Sequence, residues 1–113
     1  MRNKPTRFYS SKQEKAVAKV VSGKRTPNSG AIAFAGGDVT TDDWLIECKT
    51  ATVEKQSFSI KRDWLDKNKQ EAISMRKSYN ALCFDFGDNG KRYYVIDERT
   101  FKQLLQFTQE VET

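Results

Sequence analysis

The segment WLIECKT, Trp44 to Thr50, fixes more about this chain than any other stretch. Its residues alternate with period two, the pattern of a β-strand. Trp44, Ile46 and Cys48 point one way, and Leu45, Glu47 and Lys49 point the other. A strand of this kind persists only inside a sheet whose apolar side is covered, which commits the chain to a layered fold. The flanking segments supply the layers. Ser11 to Glu14 reads S-x-x-E, a capping-box pattern, and predicts a helix to about Ser22 with Gly23 as its stop. Ala16, Val17, Val20 and Val21 give that helix its apolar stripe, and Glu14 leans toward the same side. Lys24 to Gly30 reads as a loop, Ala31 to Ala35 as a short strand, and Asp38–Val39 as a further extended piece. Thr40 to Asp43 has the chemistry of a hairpin turn.

Beyond Thr50 the pattern repeats in a new order. Ala51 to Ser57 is a polar connection. A helix is expected from about Ile60 to Lys77, with Trp64, Leu65, Ala72, Ile73 and Met75 at apolar positions. Ala81 to Phe86 reads as a strand, Gly87 to Gly90 as a turn, and Arg92 to Ile96 as the returning strand of a hairpin. Asp97 is placed to cap a last helix in which Phe101, Leu104, Leu105 and Thr108 recur at helical spacing. The expected fold class is therefore α/β, a mixed central sheet flanked by helices in the order α-βββ-α-ββ-α. With 113 residues, one domain accounts for residues 1–113, residues 1–9 forming a basic N-terminal arm.

Composition limits the chemistry. The chain holds no histidine, which removes Ser-His-Asp and Cys-His catalysis and histidine-ligated zinc. Any enzyme chemistry must use carboxylates, lysines, hydroxyls or an oxygen-liganded cation. The two cysteines, Cys48 and Cys83, lie in apolar strand segments and read as buried, reduced thiols of an intracellular protein. No apolar run approaches the ~20 residues of a membrane span, and the first residues lack the apolar segment of a signal peptide. Net charge is +5, and its distribution is uneven. Residues 1–30 carry Arg2, Lys4, Arg7, Lys12, Lys15, Lys19, Lys24 and Arg25 against the single acid Glu14. That bias reads as a phosphate-contacting footprint. A second basic run from Lys61 to Lys77 includes Lys61 and Arg62, and equally fits a solvated helix face.

One constellation stands out against that background. Glu47 and Lys49 share a strand face about 6.6 Å apart at ordinary strand rise. An E-x-K pair on a half-exposed strand is common in itself. Asp38, however, lies nine residues before Glu47 across the turn, and antiparallel pairing would return it beside Glu47. Two carboxylates and a lysine would then converge at one end of the sheet. Asp42 and Asp43 are rival acids, but they sit in the turn itself, where solvent is their natural environment. Two carboxylates can hold a hard divalent cation, and a lysine can stabilise charge building on a phosphate.

Asp38, then Glu47-x-Lys49 on an apolar strand, with Glu14-Lys15 on the preceding helix, resembles the PD-(D/E)xK nuclease superfamily. More narrowly, the chain resembles the archaeal-type Holliday junction resolvases and their phage relatives. The similarity runs from about Lys12 to Asp97 and includes Ser29-Gly30, the IECK strand, and Ser57 to Gly87 in order and spacing. It implies a restriction-endonuclease-like nuclease core and a Mg2+-dependent enzyme, with Mn2+ able to substitute. Asp38 and Glu47 would be metal ligands together with the backbone carbonyl of Cys48. Lys49 would be the catalytic lysine, and Glu14 would reach the metal through water. Ser29 would touch the scissile phosphate. The DNA-binding residues would be Arg2, Lys4, Arg7, Lys12, Lys15, Lys24, Arg25, Ser29, Lys61 and Arg62. The resemblance further implies a homodimer acting on branched DNA, the four-way junction, in the cytoplasm of a prokaryotic cell or phage-infected host. Gly37 stands where the motif's name has proline. Two alternatives remain at this level: a same-fold nuclease that trims ends or cuts other branched DNA, and a non-catalytic nucleic-acid-binding module. The basic footprint serves each of them, but only a nuclease uses Asp38, Glu47 and Lys49 together.

Overall fold

The first helix begins earlier than its capping-box signature suggests. The computed structural model describes residues 6–26, 38–87 and 91–112, with side chains from residue 9 to residue 110. In it α1 spans Thr6–Val21, so Ser11 and Glu14 lie in its middle and the S-x-x-E pattern caps nothing. Burial explains the difference. Tyr9, Gln13 and Val17 recur four residues apart and are all buried, with Ser10 and Glu14 beside them. The helix is set by the face it presents to the sheet. It ends as expected. Ser22 turns left-handed at φ 56°, its N–H reaches the Lys19 carbonyl, and the Gly23 N–H donates to the Ala18 carbonyl at 2.8 Å, a Schellman arrangement. Gly23 is needed there because a Cβ would meet the Thr40 carbonyl oxygen at 2.6 Å.

Among the described residues five strands follow: β1 Lys24–Arg25, β2 Asp38–Thr40, β3 Trp44–Lys49, β4 Tyr79–Phe84 and β5 Tyr93–Val95. They form one mixed sheet in sequence order. The pairs β1–β2, β2–β3 and β4–β5 are antiparallel, and β3–β4 is parallel. A parallel pair needs a crossover, and α2, Arg62–Ser74, lies in the connection that provides it. The observed order is α-βββ-α-ββ-α. One member of that order differs from the sequence expectation: Lys24–Arg25 is a strand, not a loop, because it pairs with Thr40 and Val39. The strand expected at 31–35, the glycines at 36–37 and the turn residues 88–90 lie outside the described residues.

Both faces of the sheet are covered. On one side α1 packs Val17 against Val39, Ile46, Cys48, Ala81 and Cys83, with Ala18, Val21, Trp44 and Ile96 around them. Each fully buried Val or Ile of this kind stabilises the fold by about 1.5–3 kcal/mol. On the other side α2 lies over Leu45 and Leu82, both fully buried, and the buried Asn68 of α2 accepts a hydrogen bond from Asn80 of β4 at 2.8 Å. The turn between β2 and β3 is held from outside. The Lys77 ammonium donates to the Thr41 carbonyl at 2.6 Å, and the Tyr79 N–H donates to the Asp43 carbonyl at 2.9 Å. Asp42 and Asp43 themselves are exposed, as their place in the turn predicts. The last helix, α3, spans Glu98–Glu112. Its start is as expected: the Asp97 carboxylate accepts the Thr100 N–H at 2.8 Å, and that bond holds the Asp97 carboxyl below its usual range. No helix among the described residues is long and apolar enough to cross a membrane.

Candidate active site

The β2–β3 register places Asp38 directly opposite Glu47. Lys49 follows two residues on, on the same strand face. The three side chains are thus gathered at one end of the sheet, as the sequence spacing expects. Their environment is not the solvated strand face of a common E-x-K pair. The Lys49 and Glu47 side chains are only 18 % and 13 % exposed, and the Lys49 ammonium lies 3.1 Å from the Glu47 carboxylate. Charges withdrawn from water are costly unless paired, and here the pairing is incomplete. Asp38 is pushed up to about 7, first by burial, then by the negative charges of Glu71 and Glu47, with Glu14 adding to them and Lys49 opposing. Three other carboxylates therefore act on Asp38, against the single ammonium of Lys49. That donor set suits a hard cation: anionic oxygens, an unmet demand for positive charge, and no nitrogen or thiolate in play. Among the described residues no three carboxylates stand close enough to form a metal cage by themselves. Two carboxylates and a carbonyl match instead an ion that keeps several of its waters.

Lys49 is confined on its other side by an aromatic wall. Its ammonium lies 4.7 Å from the centroid of the Trp64 ring, and Lys61 approaches the same ring at 5.6 Å. Phe58 sits against Trp64, and stacks on Phe84 at 5.0 Å. Trp64 is thus neither a plain core residue nor an exposed platform. Its indole limits where the lysine can go.

A buried polar clamp fixes the backbone at the end of β3. The Lys49 carbonyl accepts a hydrogen bond from the Gln13 amide of α1 at 2.7 Å, and the same amide reaches Asp85 at 3.3 Å. The Asp85 carboxylate, buried, also accepts from the Thr50 hydroxyl at 2.8 Å, from the Ala51 N–H at 3.3 Å and from the Gly87 N–H at 2.9 Å. Gly87 takes φ 84° there, and a Cβ would meet the Val53 carbonyl oxygen at 2.5 Å. One carboxylate ties α1 to the ends of β3 and β4. Asp85→Ala is expected to destabilise the fold by roughly 2–4 kcal/mol, since it strands several buried donors at once. A urea denaturation series checks this, and a loss below about 1 kcal/mol would mean that water replaces the carboxylate.

Glu14 is buried, as its lean toward the apolar stripe predicts, but it is not free. Arg25 Nε donates to its carboxylate at 3.2 Å, and the same guanidinium reaches the Ser11 hydroxyl at 3.2 Å. Arg25, expected among loop residues facing DNA, is a β1 residue that neutralises a buried acid. Cys48 carries the carbonyl between Glu47 and Lys49, while its thiol lies on the α1 side of the sheet. Contact with Cys83, its partner in the β3–β4 register, and burial push the Cys48 thiol well up, and both cysteines are free and buried.

The expected DNA-contacting residues divide three ways. Lys12, Lys15, Lys24, Lys61 and Arg62 are exposed, and Arg62 forms a solvated pair with Asp66 at 3.7 Å. Arg7 lies in the first turns of α1. Arg2, Lys4 and Ser29 lie outside the described residues. Gln70 and Lys67 are exposed on α2. Three residues around the site, Gln13, Asp85 and Glu71, are absent from the candidates that the sequence suggests. Gln13 and Asp85 carry no motif, and only the fold brings them together. Glu71 did leave a signal: it lies at helical spacing from Trp64 and Asn68, next to the buried Ala72, although its own side chain is exposed. Comparison with protein-family models, with curated proteins and with solved structures returned no match.

Proposed function

We propose that this chain is a Mg2+-dependent DNA endonuclease that recognises structure rather than sequence, and within that class a resolvase of four-way junctions acting as a homodimer. The carrying observation is the shielded pairing of Asp38 with Glu47, beside Lys49, with more negative than positive charge. A fold gains nothing from such an arrangement alone, because it costs stability wherever no cation or phosphate completes it.

In this reading Asp38 and Glu47 would hold the metal, joined by the Cys48 carbonyl. Bound Mg2+ would supply a lowered pKa for water and charge neutralisation at the scissile phosphate. Lys49 stabilises negative charge developing on phosphate oxygens, held in place by Glu47 and the Trp64 ring. Arg25 fixes the Glu14 carboxylate, which adds to the negative field at Asp38. The exposed Lys12, Lys15, Lys24, Lys61 and Arg62 meet the DNA backbone, which positions without reading bases.

The test uses a four-way junction and linear duplexes of the same sequences, with Mg2+ or with a chelator. Symmetric paired nicks in the junction alone, dependent on the metal, are the expected result. Equal cutting of junction and duplex would replace the resolvase reading with a general nuclease. Binding without cleavage under Mg2+, Mn2+ and other divalent ions would overturn the enzyme reading.

A further inference from the structure

The last helix carries an apolar face that nothing among the described residues covers. Every residue from Phe101 to Glu110 is exposed, and among the described residues no strand or helix makes more than a marginal contact with α3. The molecule is correspondingly long, 49 Å against 30 and 27 Å in the other directions. Yet α3 is the most strongly two-sided of the three helices. Phe101, Leu104, Leu105 and Thr108 fall on one side at helical spacing, with Phe107 at its border. The Thr108 hydroxyl donates to the Leu104 carbonyl at 2.9 Å, so Thr108 offers its methyl group outward. At its start the Thr100 N–H is capped by the Asp97 carboxylate, and Thr100 is buried. A helix of this length is marginal on its own in water.

We infer that this face of α3 pairs with the α3 of a second copy of the chain, antiparallel about a two-fold axis. The size fits. Phe101 is 56 % exposed, Phe107 67 %, Leu104 43 % and Leu105 44 %. At ~150–250 Å² for a whole large side chain, that leaves on the order of 400 Å² of apolar surface bare. Homodimer interfaces are about 65 % apolar. Pairing two such faces therefore buries about 1,200 Å² in all, just inside the range of specific interfaces.

The pattern is also self-complementary. Phe101 lies three residues before Leu104, and Thr108 three after Leu105. An antiparallel pair centred between the leucines sets each Phe101 ring over the small Thr108 of the partner copy and each Leu104 against a Leu105. No charge falls on the axis. Other occupants fit less well. In a chain of net charge +5, α3 carries Glu98, Glu110 and Glu112 against Arg99 and Lys102. A helix lying on a membrane surface or on DNA would show the opposite balance.

The inference rests on the helix face and not on the chemistry of the site, so its test uses neither DNA nor metal. Sedimentation velocity of the full chain at about 100 µM is expected to give twice the chain mass of 13.0 kDa. Leu104→Glu with Leu105→Glu is expected to sediment as one chain while its near-UV circular dichroism stays that of the wild type. A second variant, Phe101→Cys with Thr108→Cys, is expected to form a two-chain disulfide species under mild oxidation, where the wild type, its cysteines buried, does not. A wild type that stays single-chain to several hundred micromolar would overturn the pairing. A glutamate variant that remains two-chain would place the interface elsewhere. Binding of the wild type to anionic phospholipid vesicles, with no self-association, would make the face a membrane contact instead.

Discussion

Replacing Lys49 with methionine is expected to lower single-turnover cleavage of DNA by about 10²–10³-fold, the usual loss when one electrostatic donor to a transition state is removed. Methionine is the informative choice. It keeps the unbranched stem that packs beside Trp64 and deletes only the ammonium. Binding is expected to survive. Lys49 is one largely buried charge in a chain with 20 lysines and arginines, so the salt dependence of binding should fall by no more than about one unit of slope. Lys49→Arg should rescue poorly, because a planar guanidinium does not occupy the position of an ammonium fitted between the Glu47 carboxylate and an indole face. If the methionine variant cuts at the wild-type rate, Lys49 has no part in the chemistry, whatever substrate the junction assay identifies.

The elements that define this site were legible wherever one local rule decided them. Period-two alternation marked β3, and turn chemistry marked the residues before it. Thr41 confirms the latter, its hydroxyl accepting the N–H groups of Asp43 and Trp44. A tight antiparallel turn then leaves little freedom of register, which is why Asp38 could be matched to Glu47 from spacing alone. Asp97 as a cap was legible for the same kind of reason: one side chain, one orphan N–H.

What escaped the sequence was decided by tertiary contact. Lys24 and Arg25 have no strand character of their own and become β1 only because Thr40 and Val39 present an open edge. Ser11 and Glu14 have the form of a cap but lie inside a longer helix, because Tyr9 and Gln13 gain more from the sheet than from solvent. The face of β3 that carries Leu45, Glu47 and Lys49 reads as solvated, since its charges suggest water. In the fold α2 covers it, and that second layer turns a common surface pair into a shielded one. Gln13 and Asp85 stand 72 residues apart, and no pattern in either neighbourhood announces the contact. The stripe on α3 was legible as a stripe, but its partner was not, because no described residue of the chain covers it.

Asp38 makes the same site measurable without any substrate. Its carboxyl is raised from 3.8 to about 7 in the fold, chiefly by burial and by the negative charges of Glu71 and Glu47. Between those two values the folded chain holds a proton that the unfolded chain has lost, so stability falls as pH rises from about 4 to about 7 and the contribution is flat above that. Other carboxylates titrate in the same window, and the comparison of wild type with Asp38→Asn isolates this one. With a chelator present, the asparagine variant is expected to be more stable than the wild type by roughly 1–3 kcal/mol at about pH 8. A fully shielded group would contribute ~1.4 kcal/mol for each pH unit between the two values, and the range is set lower because water still reaches part of this one. At about pH 4 the two should unfold together. Added Mg2+ at about pH 8 should stabilise the wild type, as a ligand specific for the folded state does, and leave the variant nearly unmoved. A variant that is less stable than the wild type at about pH 8 without metal would mean that Asp38 is held by bonds it needs in its charged form, and the site would then be structural. A variant that gains stability and loses cleavage would identify a carboxylate kept at a cost to the fold, which only a bound cation or phosphate chemistry makes intelligible.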